Sequence, residues 1–172
     1  MATNKGRDDA VARTKRATRP LKARIVGLTG VFALLAKQHA DTGARLATVV
    51  RDASKRDELW PEIRVALLIH ERSEMRVLYP ELRMHDSLRA LANSHDAEAA
   101  ELERMIHDLD EVDHASDTFG KLCERLADTM VRHAREEEQD IFPKAQELLG
   151  VERAKQLEPK LLSTQKSLEE LA

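Results

Sequence analysis

LIHERSEMRVLYP at residues 68–80 and VRHAREEEQDIFP at residues 131–143 place His, Glu, an aromatic ring and Pro at matching offsets, each residue of the second set standing 63 positions after its counterpart. The chain reads as internally duplicated. Within each stretch the His and the Glu are four apart, which on an α-helix is one turn, about 6 Å along the same face. His70 with Glu74, and His133 with Glu137, therefore point the same way, and such pairs can converge on one centre. Pro80 and Pro143 mark where each hydrogen-bond ladder is expected to close or bend.

Outward from these two stretches, apolar residues recur at three- and four-residue spacing almost to the end of the chain, punctuated by Gly and Pro. That periodicity predicts helices throughout and no sheet. The first core helix spans about 29–52, with Val31, Phe32, Leu35, Leu46 and Val49 on one face and a start blurred by Gly27 and Gly30. The second begins near Asp57, a good N-cap, tolerates Pro61 in its first turn and stops by Tyr79; Trp60, Ile63, Leu67 and Val77 mark its inner face. The third spans 87–110 with Ser87 as its cap and Leu88, Leu91, Leu102, Met105 and Leu109 inward. The fourth spans 117–142, closed by Pro143 or bent there and resumed to Leu149, with Gly150 ending it.

The expected architecture is all-α: an up-down-up-down four-helix bundle over residues 25–150, a basic N-terminal arm over 1–24 and a short amphipathic tail over 151–172, interrupted by Pro159. The arm carries eight Lys and Arg against two Asp and reads as a solvated tail with no assigned function. The C-terminal tail has two places to pack, on the bundle or on a second copy of the chain as a homodimer.

Each helix carries one inward histidine. His39 stands in the row of Ile25, Phe32 and Leu46; His70 stands with Ile63 and Val77, beside the row of Trp60, Leu67 and Glu74; His95 shares a row with Leu88, Leu102 and Leu109; His133 follows Phe119 and Leu126, next to Cys123, Met130 and Glu137. The other three histidines act as a control, because His85 and His114 fall in loops and His107 on an outer face. One inward His alone reads as a hydrogen-bonded core residue. Four of them with two buried carboxylates read differently, since each unpartnered carboxylate costs several kcal/mol and the seam has no Lys or Arg to offset it. A pair of metal ions supplies that charge, each receiving two imidazole nitrogens and two carboxylate oxygens.

Composition narrows the remaining classes. With 172 residues, 42% hydrophobic and 34% charged, the chain suits one compact domain, and a net charge of −3 gives no general drive toward nucleic acid. The single cysteine, Cys123, excludes an internal disulfide, a Cys-x-x-Cys motif and thiolate zinc sites, and suits a reducing, cytoplasmic setting. No apolar run approaches a membrane span, and the start MATNKGRDD lacks the apolar block of a secretory signal.

Taken as a set, His39, His70-x-x-x-Glu74, His95 and His133-x-x-x-Glu137, with YP and FP closing the second and fourth helices, resemble the hemerythrin-like (HHE cation-binding) domain over roughly residues 30–150. The resemblance implies a four-helix bundle around two non-haem iron ions, oxo- or hydroxo-bridged, with those six residues as ligands, binding or reducing dioxygen, nitric oxide or peroxide. Oxygen-carrying members place a second His four residues after the one on the third helix, where this chain has Ala99, and an Asp five residues after the fourth-helix His. The chain therefore resembles the bacterial four-His, two-Glu variety. Two other readings compete: ferritin-like iron oxidation and storage, and a hydrolase using two zinc ions. Ferritin-like sites need Glu three residues before His, and those places hold Ala36, Leu67, Ala92 and Met130. Beside the six, Glu98 reads as an outer acceptor or a solvated residue ahead of a replacement ligand, and Tyr79 reads equally as a polar contact at one end of the site or as helix-end packing.

Overall fold

A computed structural model describes residues 27–171; the basic arm and Ile25 lie outside them. The described residues form an all-α bundle: α1 (Val31–Arg51), α2 (Arg56–Val77), the short α3 (Tyr79–Arg83), α4 (Asp86–Asp110), α5 (Asp117–Glu136) and α6 (Phe142–Glu169). A 3₁₀ turn at Ala53–Lys55 joins α1 to α2, and a π-helical turn at Glu137–Ile141 joins α5 to α6. Among the described residues no helix is long and apolar enough to cross a membrane.

Two apolar clusters fill the interior. One contains Phe32, Leu35, Val77, Tyr79, Leu88 and Phe142. The other contains Leu46, Trp60, Ile63, Leu102, Phe119 and Leu126. Helices α1 and α4 run from the first cluster to the second, and α2 and α5 run the opposite way. On each of the four the inward His lies between the two clusters, so a polar layer crosses the bundle at one level.

The helix ends differ in detail from the sequence expectation. Asp57 does not cap α2: Asp52 Oδ1 accepts from the Ser54 backbone N–H at 3.0 Å, winds the 3₁₀ turn, and lets the helix begin at Arg56. Ser87 likewise sits inside α4, whose N-cap is His85. Ser116 does cap α5, its hydroxyl accepting from Phe119 N–H at 3.1 Å. Pro80 ends α2 as expected and then serves as an early residue of α3, where its missing N–H costs nothing.

The C-terminal tail is not interrupted by Pro159. That residue is exposed, so the carbonyl it leaves unpaired faces solvent, and the opposite face of α6 buries Ala154, Leu157, Leu161 and Leu168. Ala154, Leu157 and Leu161 belong to the first apolar cluster, so the tail packs on its own bundle. Gly150 (φ 79°, ψ 159°) is not helical: it ends the segment that runs on from Phe142, as expected, and a second helical segment follows it to Glu169. Gly30 (φ 55°) lets the start of α1 approach closely, since a Cβ there would lie 2.4 Å from the Ala154 backbone. Arg153 Nη2 to Glu81 Oε1 at 2.5 Å ties α6 to α3.

Candidate metal centre

His39, His70, His95 and His133 are all buried, whereas His107 is exposed and His85 and His114 are partly so. The heptad phase thus separated inward from outward histidines correctly. Glu74 and Glu137 lie in the same layer, and all six sequence-predicted residues come together there.

They fall into two groups whose donor atoms are close enough to share an ion. The first is His39, His70, Glu74 and Glu137, and the second is His95 and His133 with Glu71, a residue sequence reasoning missed. Glu74 and Glu137 each face both groups. Glu74 Oε1 is 3.6 Å from His70 Nε2 and its Oε2 is 4.0 Å from His95 Nε2. Glu137 Oε2 is 3.1 Å from His39 Nε2 and 3.4 Å from His133 Nε2, and its Oε1 is 3.7 Å from His95 Nδ1. Glu71 faces only the second group, 3.7 Å from His95 Nε2 and 3.3 Å from His133 Nε2.

Around this inner ring stands an outer one. His39 Nδ1 is 2.9 Å from Glu138 Oε1, His70 Nδ1 is 3.0 Å from Gln38 Oε1, and His133 Nδ1 is 3.3 Å from Glu98 Oε2. An acceptor on Nδ1 keeps a proton there, so a ring that gives up a proton bares the inward Nε2, the form a metal requires. Glu98, expected as an outer acceptor, has that place. Tyr79 donates to Glu137 Oε1 at 2.6 Å and stacks on His95 (centroids 3.6 Å, interplanar 10°). Its counterpart Phe142, which has no hydroxyl, stacks on His39 instead (6.1 Å, 12°).

The π turn accounts for Glu138. Phe142 N–H bonds back to Glu137 O, five residues away, so the turn is one residue wider than α-helical and buries both Glu137 and Glu138. It also absorbs Pro143, which the sequence reading left as a closure or a bend.

Among the described residues, eight buried side-chain atoms in the layer lack a hydrogen-bond partner: both carboxylate oxygens of Glu71 and of Glu74, both ring nitrogens of His95, His133 Nε2 and Glu137 Oε2. Buried polar atoms are ordinarily paired. Among the described residues no Lys or Arg forms an ion pair with Glu71, Glu74 or Glu137; their ion-pair partners are histidines alone. Nitrogen and carboxylate donors aimed inward, with no fixed cation, fit metal ions.

Protonation follows the same frustration. Burial works against every charged form here, yet hydrogen bonds to Glu137 and Glu138 leave the His39 pKa raised, and the charges of Glu137 and Glu71 leave His133 well above its ordinary value. Burial and the neighbouring His39 push His70 down to about 3. Burial also raises Glu74 well above the carboxylate range, with Glu137 and Glu71 adding to it, while at Glu137 the charge of His133 overcomes burial and holds the pKa low. In the metal-free fold these shifts favour protons on His39, His133 and Glu74, which offset the charge of the neighbouring carboxylates.

A groove of about 600 Å³ between α1, α2 and the C-terminal half of α6 reaches the layer from outside, with His70, Gln38 and Gln165 in its wall.

No curated protein and no solved structure matches the chain significantly. A family model described as the hemerythrin HHE cation binding domain matches residues 29–145. That span contains the whole His and Glu layer and is more than half of the 172 residues. With its helical bundle and buried layer, the chain belongs to the family of hemerythrin HHE cation-binding domains.

Proposed function

We propose that the layer holds two non-haem iron ions and that the protein binds or reduces a small oxidant: dioxygen, nitric oxide or peroxide. His39 and His70 would hold one ion and His95, His133 and Glu71 the other, with Glu74 and Glu137 spanning the two. The observation that carries this reading is the set of eight unpartnered buried donor atoms, divided between two groups, with two carboxylates of the first group also facing histidines of the second. A single tetrahedral ion uses four donors, so seven residues exceed what one requires.

Two ferrous ions supply two electrons, enough to convert one peroxide and two protons to two waters. The chain's own residues set where such chemistry takes place. Glu71 gives the His95 and His133 side a donor that the His39 and His70 side lacks, which favours exchange on the latter side. The groove also opens beside His70. Tyr79, whose pKa burial and Glu137 raise well above its usual value, stays protonated and holds one Glu137 oxygen in place.

The test is stopped-flow absorbance of ferrous-loaded protein mixed with dioxygen and then with peroxide. Oxidation without a long-lived oxygenated spectrum supports the reading. A stable spectrum that reverses when oxygen is removed assigns reversible carriage instead, and protein that takes up zinc but no iron returns the hydrolase reading.

A further inference from the structure

Gln165 lies on the C-terminal half of α6, twenty residues beyond the end of the family match, and is buried within hydrogen-bonding reach of the layer's outer ring. It forms a reciprocal amide pair with Gln38: Gln38 Nε2 donates to Gln165 Oε1 at 3.0 Å, and Gln165 Nε2 donates to Gln38 Oε1 at 3.0 Å. The second hydrogen of Gln165 Nε2 goes to Ser73 Oγ at 3.1 Å, and Ser73 Oγ donates to the His70 carbonyl at 2.9 Å.

The donor and acceptor roles in this ring follow from one another. Because the Ser73 proton is committed to the His70 carbonyl, Ser73 Oγ must accept from Gln165, which turns the Gln165 amide nitrogen toward Ser73 and Gln38. Gln38 must then present its oxygen to that nitrogen, and the same oxygen lies 3.0 Å from His70 Nδ1. Facing an acceptor, His70 Nδ1 must carry the proton, so Nε2 keeps its lone pair and accepts from His39 Nε2 at 3.0 Å. The two glutamines also line the groove that reaches His70, so they stand between solvent and its ring.

We propose that Gln165 is a positioning residue for the metal centre: acting through Gln38, it fixes the His70 tautomer and makes docking of the C-terminal helix part of metal binding. The metal half of this claim rests on the reading in the preceding section, while the tautomer half does not. Leu157 and Leu161 seat this helix in the first apolar cluster, and Arg153 clamps it to Glu81. The amide therefore arrives on a firmly packed support. An outer partner of a ligating histidine typically changes metal affinity by about 10–100-fold.

The experiment compares the full chain with Gln165→Met, Gln38→Met and the double variant, with Glu169→Gln, also on the groove wall, as a control. The first readout is nitrogen-15 NMR of the histidine rings in metal-free protein. The wild type should show His70 with its proton on Nδ1, and Gln165→Met should shift it toward a mixture with the Nε2 form. The second readout is release of ferrous iron to a chelator, expected to be about tenfold faster in Gln165→Met and unchanged in Glu169→Gln. Because Gln165 acts through Gln38, the double variant should release iron no faster than Gln38→Met alone. An unchanged His70 tautomer in Gln165→Met overturns the proposal, and so do effects of the two substitutions that multiply. Should wild type bind no iron, the proposed function fails while the tautomer still decides whether Gln165 positions His70.

Discussion

Tyr79 Oη donates to Glu137 Oε1 at 2.6 Å, joining the short helix after α2 to the π turn after α5, 58 residues away in sequence. The bond ends on a buried carboxylate whose pKa is held low, so it is charge-assisted. Tyr79→Phe keeps the ring stacked on His95 and deletes only the hydroxyl. The expected cost is about 1.5–3 kcal/mol, read as a lower urea midpoint with unchanged slope. An unaltered midpoint would mean that Glu137 finds an equivalent partner without Tyr79.

The two His and Glu pairs should be separable from the control histidine by substitution. His70→Ala or His133→Ala removes a donor from a layer whose carboxylates have only histidines as ion-pair partners, so metal retention and the thermal stabilisation by metal should both fall. His107→Ala, on an exposed position, should change neither. Elemental analysis and melting of the three variants check this; loss of metal in His107→Ala as readily as in His133→Ala would contradict the assignment of the layer.

Glu71 should matter to one group only. Glu71→Ala leaves His39, His70, Glu74 and Glu137 intact and strips the second group to His95 and His133 beside the shared carboxylates. Metal titration should then show one site near wild-type affinity and one weakened at least about tenfold, a lower bound taken from the effect of outer-ring partners. Two sites weakened equally would remove the asymmetry argued from Glu71.

Metal uptake should release protons. The pKa values of His39, His133 and Glu74 are raised in the metal-free fold, which favours their protonated forms, while His70 is pushed down to about 3 and favours its neutral form. Metal must displace those protons, so apparent affinity should rise with pH until the raised histidine values are passed and fall on acidification below them. Titration calorimetry in buffers of different ionisation enthalpy reads the protons directly. Affinity that rises on acidification would reverse the sign argued here.

Most of the bundle was legible because helical periodicity and four repeated deviations from it carry their own phase. His39, His70, His95 and His133 interrupt otherwise apolar rows, and the repeated His and Glu spacing supplied Glu74 and Glu137. Glu71 was missed for a geometric reason: it stands about 100° around the helix from His70, and it breaks the duplication, since its counterpart is Ala134. The available signal was Ala99, a small residue on α4 that lines the same surface hollow as Glu71. Glu138 was invisible because only the π turn buries it together with Glu137. Gln165 was hidden in a helix that Pro159 seemed to divide, and what overrode Pro159 was burial on the opposite face, a tertiary effect.

The central claim is a two-ion layer, and its most direct test is iron per chain, by elemental analysis, in protein loaded anaerobically with ferrous iron and desalted. Two donor groups, with Glu74 and Glu137 of the first also facing His95 and His133 of the second, predict two iron ions per chain. One ion per chain, or one zinc with no iron, would contradict the account.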